Sequence, residues 1–82
     1  MKKVIYTVEQ RKTKTNDFIS DESFETLEEA KRYLEHNKDY AIHSKCFKGQ
    51  TLSLIKQTYL IDDEDENDVE LLEEDYIEEV EF

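Results

Sequence analysis

The chain is 82 residues long, and 22 Asp plus Glu against 11 Lys plus Arg leave it a formal charge of -11. That length fits one domain, near the lower limit at which a hydrophobic core supports itself. The lone Cys46 excludes an internal disulfide and a four-cysteine zinc site, and no apolar run approaches the ~18 residues that span a bilayer. Such acidity repels nucleic acid and anionic lipid alike, and points instead to a basic partner. Five Tyr and four Phe are too many aromatics for a wholly unfolded chain. Met1-Lys2-Lys3 leads into a strand pattern and not into an apolar signal segment, so a cytoplasmic protein is expected.

Lys3 to Val8 is β-branched and aromatic and predicts a first strand. Gln10 to Asn16 carries Arg11, Lys12 and Lys14 among Thr and Asn and predicts a polar turn, with Asp17 to Ser20 returning as a second strand. Asp21 to Ser23 is a polar connection. Thr26 followed by Glu29 has the spacing of a capping box, and Leu27, Ala30, Leu34 and Asn37 then fall on one helical face. Tyr33 borders that face, Phe24 lies just upstream, and Glu28 precedes Arg32 by four residues. The helix is expected to end at Asn37.

Tyr40 to Phe47 and Thr51 to Ile61 suggest a hairpin turning at Gly49, the only glycine. Tyr40, Ile42 and Cys46 would share one face of the first strand, and Leu52, Leu54 and Leu60 one face of the second. The body, residues 1–61, is thus expected to be an α+β unit of ββαββ order, one antiparallel sheet with a helix across it.

Residues 62–82 form a separate acidic segment: 13 of its 21 residues are Asp or Glu and none is basic, so it contributes -13 against +2 from the body. Asp62 to Asp68 predicts a solvated linker. Val69, Leu72, Tyr76 and Val80, with Ile77 close by, make a helical stripe interrupted by Glu73. Acids in its last turn oppose the helix dipole, so the helix needs a docking surface; otherwise the segment becomes a strand, with Tyr76, Val80 and Phe82 on one face, or stays disordered.

As a 21-residue helix this segment would place 13 carboxylates along ~32 Å, about one per 2.4 Å, against one charge per ~1.7 Å of duplex DNA. The phosphate-like candidates are Asp62, Asp63, Glu64, Asp65, Glu66, Asp68, Glu70, Glu73, Glu74, Asp75, Glu78, Glu79 and Glu81, with Tyr76 and Phe82 as aromatic anchors. The plain alternative is a solubilising tail, which would not need its seven apolar residues.

Asp63, Asp65, Asn67 and Glu74 match four calcium-loop positions, but Asp68 stands where such a loop needs glycine and Leu71 where it needs a ligand, which leaves weak, non-selective divalent binding at most. His43 and Cys46, three apart on the expected strand, point to opposite faces and make no dyad, and His36 sits near the expected helix end. No catalytic site and no cofactor is expected. Lys2, Lys3, Arg11, Lys12 and Lys14 are too few, and lack interleaved aromatics, for nucleic-acid binding. By default the basic turn is a solvated loop; the alternative is that it holds the tail in cis.

In type, residues Asp62 to Phe82 and the helix style of Phe24 to Leu34 resemble the small acidic anti-defence proteins of phages and mobile elements of Gram-positive bacteria, including anti-CRISPR proteins and other DNA mimics. The resemblance implies a non-enzymatic, stoichiometric inhibitor that occupies the DNA-binding groove of a defence nuclease in the host bacterial cytoplasm. Two alternatives remain open: an antitoxin-like or regulatory module whose tail orders on a basic protein, and a small nucleic-acid-binding domain with the tail as autoinhibitor.

Overall fold

In a computed structural model, which describes residues 1–44, 48–62, 64 and 67–82, five elements follow in chain order. They are β1 (Lys2–Lys12), β2 (Phe18–Phe24), α1 (Leu27–Ser44), β3 (Gln50–Ile61) and β4 (Val69–Glu81). The strands form one antiparallel sheet in the order β2-β1-β3-β4, with α1 on one face. This is a small α+β fold, as expected, but two of its elements are not the predicted ones.

Strand β1 runs past Val8 to Lys12 because β3 pairs with it along its whole length, from Lys2 opposite Leu60 to Lys12 opposite Gln50. The turn that follows puts Asn16 at φ 61, a region Asn tolerates better than most residues, and closes through Lys12 N–H to the Asp17 carbonyl at 2.9 Å. Strand β2 extends through Asp21 to Ser23, the stretch expected to be a connection. Its polar residues suit an exposed edge strand whose only demand is backbone pairing to β1.

Thr26 begins α1 as expected. Its hydroxyl accepts the Glu29 N–H at 3.2 Å and donates to the Glu29 carboxylate at 2.9 Å, a closed cap that differs from the usual box by sparing the Thr26 backbone N–H. Glu28 and Arg32 pair on the solvent face at 2.5 Å, and Phe24 meets Tyr33 with ring centroids 5.2 Å apart. The helix does not end at Asn37. That side chain donates back to the Tyr33 carbonyl at 2.8 Å, and the apolar stripe continues to buried Ala41.

The strand expected over Tyr40 to Phe47 is therefore absent as far as Ser44, while Lys45, Cys46 and Phe47 lie outside the described residues. Tyr40 and Ile42, expected to share one face of that strand, instead lie on the helix and point to solvent at 54% and 70% exposure. Gly49 does sit at positive φ, 80°, but in the connection from α1 to β3 instead of a strand hairpin.

One face of the sheet meets the helix. Val8, Leu52 and Leu54 pack with Ala30 and Leu34, and Tyr6, Phe24, Leu27 and Phe82 close around them. Leu60 lies on the same face by register yet stays 39% exposed, beyond the helix's reach. Leu34 is fully buried, so Leu34→Ala should cost about 3 kcal/mol. For a domain this small that lowers the thermal midpoint by more than about 10 °C, measurable by circular dichroism.

Val69–Glu81 is a strand and not the favoured helix: β4 pairs with β3 from Ile61 opposite Val69 to Thr51 opposite Glu81. The register skips Leu72 and Ile77, which are bulged residues. The apolar doublets Leu71-Leu72 and Tyr76-Ile77 recur every five residues, and each bulge shifts the strand alternation by one. That is why the apolar spacing imitates a helix. Two different forces compete here: seven carboxylates repelling one another, and a backbone ladder interrupted only at two bulges plus Phe82 against the core. The ladder prevails because a strand spaces those charges roughly twice as far apart as a helix does.

Candidate protein-binding edge

The register fixes where each acid of β4 points. Even-numbered residues of β3 share the helix side of the sheet with Leu52 and Leu54, which places Glu70, Glu73, Asp75, Glu78 and Val80 on that side. Val69, Leu71, Glu74, Tyr76, Glu79 and Glu81 are opposite the odd-numbered residues and take the open face. Both sides of β4 therefore carry carboxylates, and all seven are at least partly exposed.

Direct ion pairing to them is sparse, although Lys56 stands opposite Asp75 across the ladder. Among the described residues the only ion pair reaching β4 is Lys38 to Glu78, at 3.3 Å, and the same ammonium holds Glu35 at 3.2 Å. These hydrogen bonds, Glu35 first and then Glu78, raise the Lys38 pKa. The pair's contribution is thus present below the usual lysine value and fades as pH rises through the raised one. Gln57 donates to Glu74 at 3.3 Å, a neutral contact. Among the described residues no ion pair joins the basic turn to the segment. Arg11 instead pairs with Glu9 on its own strand, donates to the Asn16 carbonyl at 2.9 Å and lies over the Phe18 ring.

Tyr76 is the aromatic of this surface. It is 56% exposed on the open face, beside a hollow of about 260 Å³ that Glu9, Arg11, Thr51, Glu79 and Glu81 also line. Partial burial first, and then the charges of Glu9 and Glu74, raise its phenol above the usual value, with Arg11 pulling the other way. Phe82 is a different case. It packs against the core cluster, and its backbone is fixed by Gln50 at 3.0 Å and Gly49 at 2.9 Å. Of the two aromatics expected as anchors, Tyr76 is the one on the acidic surface.

At the start of the connection to β4 the Glu64 N–H donates to the Asp62 carboxylate at 2.9 Å, and Asp62 N–H reaches the Asp68 carbonyl at 3.1 Å. Asp63, Asp65 and Glu66 lie outside the described residues. Half of the calcium-loop match lies there too; Glu74, its twelfth position, is on a strand where that loop requires a helix. Among the described residues no three His, Cys, Asp or Glu converge to hold a metal ion. His36 is mid-helix, not near a helix end, and His43 is on α1, its Nδ1 2.7 Å from the Asp39 carbonyl, not on a strand.

Charge density changes with the conformation. Seven carboxylates over a 13-residue strand give about one per 6 Å at ~3.3 Å per residue, against one per ~3.4 Å for each strand of a duplex. β4 is a sparser rod of charge than a helix would be, and it does not reproduce phosphate spacing.

No helix of the described residues is long and apolar enough to cross a membrane. No protein-family model, curated protein or solved structure matches the chain.

Proposed function

We propose that the chain is a non-enzymatic acidic inhibitor whose β4 edge occupies the nucleic-acid-binding surface of a basic protein. The target class to which its resemblance points is a bacterial defence nuclease, a CRISPR effector or a restriction enzyme, so that the protein serves the evasion of antiviral defence. It imitates nucleic acid in charge and not in phosphate spacing. The observation that carries this reading is β4 itself, with seven exposed or half-exposed carboxylates of which one has a cationic partner among the described residues. A groove evolved for phosphates concentrates Lys and Arg, and such complementarity speeds association and selects partners.

The same segment also supports a second reading, an antitoxin-like or regulatory module acting on a basic partner that binds no nucleic acid. A tail that orders only on contact loses affinity to that ordering. Because β4 is already paired with β3, a preformed surface is favoured over one that orders on its partner.

The two readings separate in a capture experiment with full-length protein as bait. A nuclease retained at low salt, weakened about tenfold or more by a few-fold rise in ionic strength and displaced by duplex DNA, is the expected result. A captured basic protein indifferent to DNA moves the assignment to the regulatory module.

A further inference from the structure

β4 ends the sheet, and among the described residues one side of its backbone is free of any strand. The ladder identifies which groups lie there. At one end Ile61 exchanges both of its bonds with Met1, at 2.8 and 2.9 Å, so the odd-numbered residues of β3 face β1. At both ends of β4 the pattern agrees: Asp62 bonds Asp68, and Phe82 bonds Gln50, so the even-numbered positions face β4. In this register Glu70, Glu73, Asp75, Glu78 and Val80 turn their backbone groups inward, and Val69, Leu71, Glu74, Tyr76, Glu79 and Glu81 turn theirs outward.

We propose that β4 accepts a further strand, an extended Lys- or Arg-bearing segment of the protein partner, paired backbone to backbone along this free edge. The inference rests on β4 being the partner-binding element and states how the partner is held. Edge pairing supplies directional hydrogen bonds, and the acids decide who can pair. A second copy of the chain is the wrong occupant, because β4 against β4 sets seven carboxylates against seven. A neutral strand gains nothing from the charge. A basic strand meets Glu74, Glu79 and Glu81 on the open face and Glu70, Glu73, Asp75 and Glu78 on the other, with Tyr76 for apolar or cation–π contact. The opposite edge, β2, is shorter at 7 residues and carries Asp21 and Glu22 alone as charges. Acid on an edge strand also guards against aggregation, and a purely protective edge should show no preference between a strand-forming cationic peptide and one that cannot pair.

That difference is the test. A short Lys-Thr repeat peptide and a Lys-Pro repeat of equal charge are titrated into the full-length protein, with amide exchange read by NMR. The Lys-Thr peptide should bind about tenfold tighter or more and protect the outward amides of Glu74, Tyr76, Glu79 and Glu81. Glu79→Pro removes an outward donor without touching the ladder to β3, and should weaken that peptide about tenfold more than Glu79→Gln does. Equal binding of the two peptides, or equal effects of the Pro and Gln variants, overturns edge pairing while leaving a charge-based inhibitor intact. Exchange protection of β4 that grows with protein concentration and no peptide would overturn the choice of occupant. Binding of neither peptide at low salt would sink edge pairing and the acidic-inhibitor reading together.

Discussion

Cutting the chain after Ile61 should abolish cooperative folding instead of releasing a stable body. Strand β3 is the most buried in the sheet, with Leu52, Ser53, Leu54 and Ile55 all below a tenth exposed, and β4 is its partner on one side. Removing β4 strips a ladder that runs the length of β3 and removes Phe82 from the core. It also makes β3, an apolar strand, a new free edge, which invites aggregation. A domain of this size has a net stability of about 4–12 kcal/mol, so losing a quarter of the sheet and a core aromatic exceeds what it can absorb. Chemical denaturation of the 1–61 fragment should show no cooperative transition, and size-exclusion chromatography should show soluble aggregate. A fragment with a sharp transition and a monomeric profile would mean that β4 is an appendage.

Charge neutralisation in place is consequently the clean way to interrogate the acidic segment. The triple variant Glu74→Gln, Glu79→Gln, Glu81→Gln should keep or slightly raise the thermal midpoint. These three carboxylates share the open face and make no ion pair among the described residues, so the fold loses mutual repulsion and little else. Partner affinity should fall about a hundredfold or more, at roughly 1 kcal/mol for each charge pair lost at a contact. Tyr76 and the four acids of the helix side are untouched by the triple variant. A partner seated mainly on that other side would show itself by near-normal binding.

Much of the body is legible in the sequence. Thr26 and Glu29 mark the helix start, the Leu27, Ala30, Leu34 stripe marks its buried face, and Leu52 with Leu54 marks the strand beneath it. What misleads is local propensity at positions decided by tertiary contacts. Tyr40 and Ile42 favour a strand by type, yet Ala41 continues the helical stripe onto the core and carries its two neighbours out to solvent. Residues 21–23 have no apolar signal because an exposed edge strand needs none. In β4 the bulges at Leu72 and Ile77 convert strand alternation into spacings of three and four, the signature by which helices are found.

The acidic surface is legible as composition but not as geometry. Thirteen acids in 21 residues announce a charged element; nothing local says that Tyr76 lies with Glu74 and Glu79 while Phe82 goes to the core. The doublets Leu71-Leu72 and Tyr76-Ile77, five residues apart between acids, are the one signal that distinguishes a bulged strand from a helix here.

The most direct measurement is a competition assay on a nuclease captured by this chain. DNA binding by that nuclease is titrated at several fixed concentrations of the full-length protein and of the triple Gln variant. Occupation of the nucleic-acid surface predicts that apparent DNA affinity falls in proportion to inhibitor, that saturating DNA restores full binding, and that the variant has little effect. Inhibition that excess DNA cannot reverse, or that the variant retains in full, would contradict an acidic edge acting in the place of nucleic acid.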